Sequence, residues 1–240
     1  MAHIILTGAT GQAGAAILVY ALHSPLISHI SILSRRPVVL AENQSKATVI
    51  IHQDFERYSD SVLQQLNGAI GCIWAQGISS FGMNEADYTK ITVDYPVAAA
   101  KNFSTLGEKL NFVYVSGEGA NMVESKAGMM FGRVNGRAEK ALLELQIAHP
   151  SLKVYNVRPA AINPEGQHLA ERTPTLGDRA STVLLSVLTK VWKRSVISTN
   201  DLAKVCVDLA VGSGAPTSGS GIEADGRVLT NVALRRMAGL

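Results

Sequence analysis

A chain of 240 residues with 47% hydrophobic and 17% charged residues is long enough to bury the core of one α/β domain. A net charge of +3, with basic residues scattered except for the pairs Arg35-Arg36, Lys193-Arg194 and Arg235-Arg236, leaves no footprint for nucleic acid. No leader pattern precedes the first motif and no apolar run has the length of a membrane span, so the expectation is a soluble, cytoplasmic protein without a membrane partner.

Residues 4–6 (Ile-Ile-Leu) run straight into Gly8, Gly11 and Gly14, and helical spacing follows. The pattern predicts a buried parallel strand, a tight turn carrying Thr10 and Gln12, and a helix N-terminus aimed at a phosphate. Gly8 allows the turn, Gly11 lets the backbone approach a pyrophosphate, and Gly14 lets the helix pack closely on the strand. The helix stops at Ser24-Pro25. Residues 29–33 form a second strand, followed by Ser34-Arg35-Arg36-Pro37, and residues 47–51 a third, ending at Gln53-Asp54-Phe55. A polar helix over about 59–66 leads to strand four, 69–74, and then to Ala75-Gln76-Gly77. A long helix is predicted over 85–105, kinked at Pro96. Strand five (110–115) ends at Ser116-Gly117-Glu118-Gly119, a helix covers 129–148, and strand six (152–157) ends at Arg158-Pro159-Ala160-Ala161. Near-continuous apolar strands alternating with helices predict a doubly wound, Rossmann-like parallel sheet with helices on both faces. Cys72 falls in a strand pattern and Cys206 in a helix pattern, and both read as buried thiols of a reducing compartment.

Beyond Ile162 the pattern loosens. Residues 163–178 read as loop, 182–192 as an apolar helix, 201–211 as a helix capped by Thr199 or Asn200, 212–226 as Gly/Ser-rich loop and 230–237 as a short terminal helix. Ligands of open α/β sheets sit beyond the C-terminal strand ends, so 160–200 is expected to form a substrate lid within a single domain, 1–240. The apolar helix would cover the substrate or meet a partner; a membrane-surface role lacks a strongly basic face.

The charge after strand two selects the dinucleotide: an acid favours the free 2′-hydroxyl of NAD, arginine the 2′-phosphate of NADP. Arg35 and Arg36 stand there, with no acid before Glu42, so the expected cofactor is NADP(H) ahead of NAD(H); the other reading of the pair is a solvated turn. Asp54 and Phe55 either flank the adenine or begin a helix.

Thr7-Gly-Ala-Thr-Gly-Gln-Ala-Gly14, Ser34-Arg-Arg36, Ser116-Gly117 and Asn156-Val-Arg-Pro159 together resemble the atypical short-chain dehydrogenase/reductases over nearly the whole chain. The nearest branch is that of the Tat-interacting-protein oxidoreductase and small fungal NAD(P)-binding proteins, with the NmrA-like regulators more distant. By this resemblance Ala75, Gln76 and Gly77 line the cofactor, and Arg158, Pro159, Ala160, Ala161 and Ile162 pass by the nicotinamide. The family reduces carbonyls with a serine and a Tyr-x-x-x-Lys pair on the helix after strand five. Ser116 matches the serine, whereas Phe131 stands at the Tyr position and Asn135 at the Lys position. Phenylalanine has no proton to give and asparagine no charge, so the resemblance implies a pocket-lining role for both and a protein without the usual proton relay. Asn135 retains the means to hydrogen-bond the cofactor ribose.

Three readings remain open at this level: reduction of an activated C=C or C=N bond, a non-redox isomerisation, cyclisation or rearrangement, and an NADP(H)-sensing regulator without turnover. We expect an enzyme acting on a small hydrophobic metabolite, as monomer or homodimer. Replacement acid/base groups are sought in Ser116, in Glu118, Glu124 and Lys126 of the loop before the helix, and in His168; solvated charge and turn are the competing readings. Tyr88 and Tyr95 lie on the long helix and Tyr114 in the core of strand five. Met122, Met129, Met130 and Phe131 form a soft apolar cluster that reads either as core or as the wall of a greasy pocket. No spacing of metal ligands and no Gly-x-Ser-x-Gly elbow occurs.

Overall fold

The chain lays down β1 (Ala2–Thr7), β2 (Ile27–Ser34) and β3 (Ala47–Ile51) outward in one direction, then returns to place β4 (Gly71–Trp74) on the other side of β1. From there β5 (Leu110–Val115) and β6 (Leu152–Arg158) continue outward, all in parallel. The computed structural model describes residues 1–164 and 195–240. The order β3-β2-β1-β4-β5-β6 reverses between β1 and β4, and at that switch point the C-terminal strand ends open a crevice.

Side chains alternate across the sheet, yet the strands are apolar throughout because helices cover both faces. Ile4 and Leu6 pack on one side with α1 (Gln12–His23), while Ile5 packs on the other with Trp74 and Phe103. The first face also takes α6 (Thr199–Val211) and α7 (Asn231–Ala238). The second takes Leu66 of α2 (Asp60–Leu66), Ala99 of α4 (Tyr95–Phe103) and Leu142 of α5 (Met130–Ala148). Cys72 and Cys206 lie on opposite faces as free, buried thiols, and burial pushes Cys206 up to about 12. The doubly wound, Rossmann-like architecture is therefore present.

Several elements depart from the sequence-based expectation. The helix over 85–105 is broken into α3 (Glu85–Thr89), a π-helical turn (Lys90–Asp94) and α4. Pro96 has no N–H, and the wide turn before it hands the Tyr95 N–H to the Lys90 carbonyl five residues back. The strain that a sequence reads as a kink is taken up as a π turn. Ser198, not Thr199 or Asn200, caps α6, accepting from the Asp201 N–H at 3.0 Å. Two short strands extend the sheet beyond β6: β10 (Val228–Thr230) in parallel and β9 (Ile222–Glu223) antiparallel at the edge. β7 (Ala161–Asn163) and β8 (Val196–Ser198) pair as a separate two-stranded unit for which no strand was expected. The apolar helix at 182–192, His168 and most of the expected lid lie outside the described residues. No helix among the described residues is long and apolar enough to cross a membrane.

Candidate dinucleotide and substrate site

Two cavities, of about 590 and 550 Å³, lie over the C-terminal strand ends. They share Thr10, Gly11, Ala75, Gln76 and Gly77, and so form one trough across the switch point. The first is walled by Gly8, Leu33, Ser34, Arg35, Arg36 and Gln53; the second reaches Tyr88, Tyr114, Ser116, Phe131, Asn135 and Ile162.

The glycine turn is shaped by close approach. Gly8 has φ +72°, and a Cβ there would fall 2.3 Å from the Ala75 carbonyl oxygen, so only glycine lets β1 and β4 end side by side. At Gly14 a Cβ would fall 2.0 Å from the Gly8 carbonyl oxygen, which sets the distance between helix and strand. Gly11 differs: its φ of −94° suits any residue, and a Cβ would meet only the Gly8 oxygen, at 3.3 Å. The fold itself therefore does not require glycine at this position. Gly11 is also the N-cap of α1 without a side-chain cap, and no acid stands in the first turn, so the first N–H groups of α1 are open to an anion. These features fit a dinucleotide diphosphate.

At the adenosine end, Ser34 Oγ accepts from the Arg36 N–H at 3.3 Å and Gln53 Nε2 donates to the Arg35 carbonyl at 2.7 Å, tying the β2 and β3 ends together. Both guanidinium groups are exposed, and neither pairs with a carboxylate among the described residues. Asp54 and Phe55 do not line this cavity. Asp54 Oδ1 closes a turn by accepting from the Glu56 N–H at 3.0 Å, and Phe55 is fully buried edge-on to Trp74 and His52. Gln53, one residue earlier, takes the wall.

At the other end, α5 is held close to the loop after β5. A Cβ at Gly136 would fall 1.9 Å from the Asn121 carbonyl oxygen, and one at Gly132 would fall 2.5 Å from that of Gly119. This approach sets Phe131 and Asn135 on the cavity wall beside Ser116, whose Oγ is buried without a partner among the described residues. Asn135 Nδ2 donates to the Phe131 carbonyl and to Tyr88 Oη, each at 3.0 Å. Tyr114 Oη donates to Asn135 Oδ1 and to the Thr92 carbonyl, both at 3.1 Å. Thr92 lies four residues before Pro96, so its oxygen lacks the usual helical donor. Burial, and then the neighbouring Tyr88 and Glu139, hold the Tyr114 phenol well above its ordinary value. Glu85 at the start of α3 binds both Arg133, at 2.9 Å, and Arg137 of α5, clamping the element that carries Tyr88 against the one that carries Asn135.

Other expected participants are engaged elsewhere. Glu118 Oε2 accepts from the Asn231 N–H at 3.3 Å at the start of α7, Glu124 pairs with Arg137 at 2.7 Å, and Lys126 does not line the cavity. Met122, Met129 and Met130 are likewise absent from the lining, Met129 being 73% exposed; only Phe131 of that cluster reaches the wall. Of residues 159–162 only Ile162 does so, its carbonyl accepting from Gln12 Nε2 at 3.2 Å, while the Ala160 N–H is held by Asn231. Arg158 is turned away into a bidentate pair with the fully buried Glu139, at 2.6 and 2.9 Å, and reaches Glu223 at 2.9 Å. Burial opposes its charge, but those two carboxylates hold its value above the ordinary one. Gln53 and Thr92 were not legible as wall residues, since only the bulge of the π turn and the end of β3 bring them there. No group of metal-ligating side chains occurs among the described residues.

No protein-family model matches the chain. Leucinostatins biosynthesis cluster protein T of Purpureocillium lilacinum is 35% identical over 97% of this chain and 94% of its own length. The Candida albicans protein FMP52, described as mitochondrial, is 26% identical over 85% of this chain and 86% of its own. Among solved structures, a short-chain dehydrogenase/reductase of Saccharomyces cerevisiae superposes with a TM-score of 0.68 at 16% identity, covering 99% of both chains, a likeness of fold. This chain belongs to one family with leucinostatins biosynthesis cluster protein T, and its fold is that of the short-chain dehydrogenase/reductases.

Proposed function

We propose that the protein binds NADP(H) in the trough and reduces a small hydrophobic metabolite of a fungal biosynthetic sequence. The observation that carries this reading is the continuity of the trough. It runs from two arginines that pair with no carboxylate among the described residues, across the uncapped N-terminus of α1, to a wall that presents a serine, two phenols and an amide. The N–H groups of α1 would hold the diphosphate, Arg35 and Arg36 the 2′-phosphate, and Asn135 and Gln12 the nicotinamide end. When bound, the dinucleotide supplies a hydride to an electrophilic carbon. Ser116, with no hydrogen-bond partner among the described residues, would orient the acceptor atom of the substrate. Phe131 replaces the proton-donating tyrosine of the family and gives an apolar wall. The relation to a leucinostatin-cluster protein supports a secondary-metabolite substrate, and a cytoplasmic location is part of the same proposal.

Calorimetric titration of NADPH and NADH tests the cofactor. Charge-assisted hydrogen bonds contribute about 1.5–3 kcal/mol each, and at these exposed arginines the lower end applies. Arg35→Glu with Arg36→Glu should therefore weaken NADPH by about tenfold or more while leaving NADH within about threefold. Equal loss for both would refute the role at the 2′-phosphate. Failure of either dinucleotide to bind would refute the cofactor. Tight NADPH binding with no oxidation by any carbonyl or enone would favour the sensing role instead.

A further inference from the structure

We infer that Tyr88 is the proton donor of this site, standing in for the missing tyrosine of α5, with Asn135 as its positioning residue and a carbonyl-bearing compound as the acceptor. This rests on the reductase reading above.

The inference comes from counting protons in the Tyr88–Asn135–Tyr114 network. The Phe131 carbonyl can only accept, so the Asn135 atom facing it is the NH₂ group, and that orientation sets every other bond. Oδ1 then faces Tyr114, whose proton is committed to Oδ1 and to the Thr92 carbonyl. The two Nδ2 protons go to Phe131 O and to Tyr88 Oη. Tyr88 Oη is therefore an acceptor within the network, and its own proton has no acceptor among the described residues. It is the one phenolic proton on the wall left to give. Tyr88 is 2% exposed, lines the cavity with Ser116, and is seated by the π turn that follows it and the Glu85 clamp before it. π turns of this kind recur at functional sites.

The step balances as follows. The acceptor carbon gains the hydride, with the nicotinamide as reductant, and the carbonyl π pair passes to oxygen, or through the double bond of an enone to the same oxygen. The Tyr88 O–H bond breaks as its proton moves to that oxygen. The phenolate left behind is held by the Asn135 N–H and regains a proton from water. The asparagine thus does with a neutral hydrogen bond what the family's lysine does with charge. Ser116 Oγ provides a second contact to the acceptor oxygen.

The test has a binding arm and a turnover arm. In protein labelled with ¹³Cζ-tyrosine, the Tyr88 resonance should shift on Asn135→Leu. It should shift again when 4-nitrobenzaldehyde is added in the presence of NADP⁺, where no reduction can occur. A Tyr88 signal indifferent to the aldehyde overturns the proposal. In turnover of 4-nitrobenzaldehyde with NADPH, Tyr88→Phe should lower kcat by about a hundredfold or more, the usual range for a lost general acid. KM, the NADPH Kd and Tm should stay close to wild type, and the solvent deuterium effect on kcat should change. Wild-type kcat in Tyr88→Phe overturns the donor and leaves the reductase reading standing. A wild-type protein that binds NADPH but reduces neither this aldehyde nor any carbonyl or enone of a broad panel overturns the reductase reading, and the proton step falls with it.

Discussion

Alanine at Gly11 and alanine at Gly14 separate what the glycine turn does for the fold from what it does for a ligand. At Gly14 the added methyl would fall 2.0 Å from the Gly8 carbonyl oxygen and 2.5 Å from its carbon. An ordinary contact is about 3.5 Å, so α1 and the end of β1 must part by about 1.5 Å. Overpacking against atoms that can move costs about 1–3 kcal/mol, and in a chain of this size each kcal/mol lowers Tm by about 2–4 °C. The struck atoms are backbone, so Gly14→Ala should show the upper half of the resulting range, about 6–12 °C. At Gly11 the methyl meets one oxygen at 3.3 Å with an extended backbone that alanine adopts freely. Exchange of glycine for alanine at an N-cap costs less than about 1 kcal/mol, so Tm should move by less than about 4 °C. Gly11 lines the trough, so the methyl would crowd the diphosphate proposed to lie there, and NADPH affinity should fall by at least about tenfold, 1.4 kcal/mol. Thermal unfolding followed by fluorescence, paired with NADPH calorimetry on both variants, reads the two effects separately. Gly11→Ala protein with wild-type affinity, or Gly14→Ala protein with wild-type Tm, would refute the reasoning.

The buried Glu139–Arg158 pair gives a stability prediction: Arg158→Met leaves Glu139 charged and uncompensated inside the protein and should cost about 3–5 kcal/mol in urea unfolding. Adding Glu139→Leu should recover most of that, and a double variant no better than the single would contradict the pair's role. Burial lowers the imidazole values of His3 and His52, with His29 adding to the effect at His3. Their folded-state values lie below the unfolded value of about 6.5, so the unfolded chain binds more protons as pH falls below that point. Stability should be full above pH 6.5 or so and decline toward pH 5, and His3→Asn with His52→Asn should flatten that decline. An unaltered slope in urea midpoints across that window would count against both histidines.

Much of the core of the fold is legible because both faces of the sheet are covered. Burial on two sides turns β1, β2, β4, β5 and β6 into near-unbroken apolar runs, and β5 falls where the pattern puts it, Leu110–Val115. β9 and β10 have 2 and 3 residues, the first inside the Gly/Ser-rich stretch and the second just after it, too short for any periodicity. Pairing with β6, a long-range event, makes β10 a strand, and β9 becomes one by pairing with β10. At the site, the glycine turn, Arg35, Arg36 and Ser116 are readable because each follows directly on a strand, whereas Phe131 and Asn135 are singled out only by the resemblance to the family's Tyr-x-x-x-Lys motif. Phe55 is misread from its place just beyond a strand end. Its ring is drawn into the aromatic cluster of His52, Trp74 and Tyr95, and a linear sequence does not show which way a side chain turns once the strand has stopped. The same limit applies to Glu118, claimed by the N-terminus of α7, and to Arg158, claimed by Glu139.

The helix Thr199–Val211 has a bearing on how the protein comes to exist. It lies against α1, β1, β4 and β5, and its last turn is stitched to the sheet by Asn111, whose amide donates to the carbonyls of Leu209, Ala210 and Gly212. Gly71 sits so close beneath it that a Cβ would fall 2.3 Å from the Ala210 oxygen. The support behind the glycine turn is thus made almost two hundred residues after the turn itself. Contacts of such long separation close late, since the loop entropy must be met first. On the ribosome, the glycine turn would emerge early and wait, without a rigid back wall, until the last sixth of the chain arrives. Cofactor capture should accordingly be a property of the completed chain, and nascent chains that stop before Thr199 should expose the apolar face of α1 to chaperones.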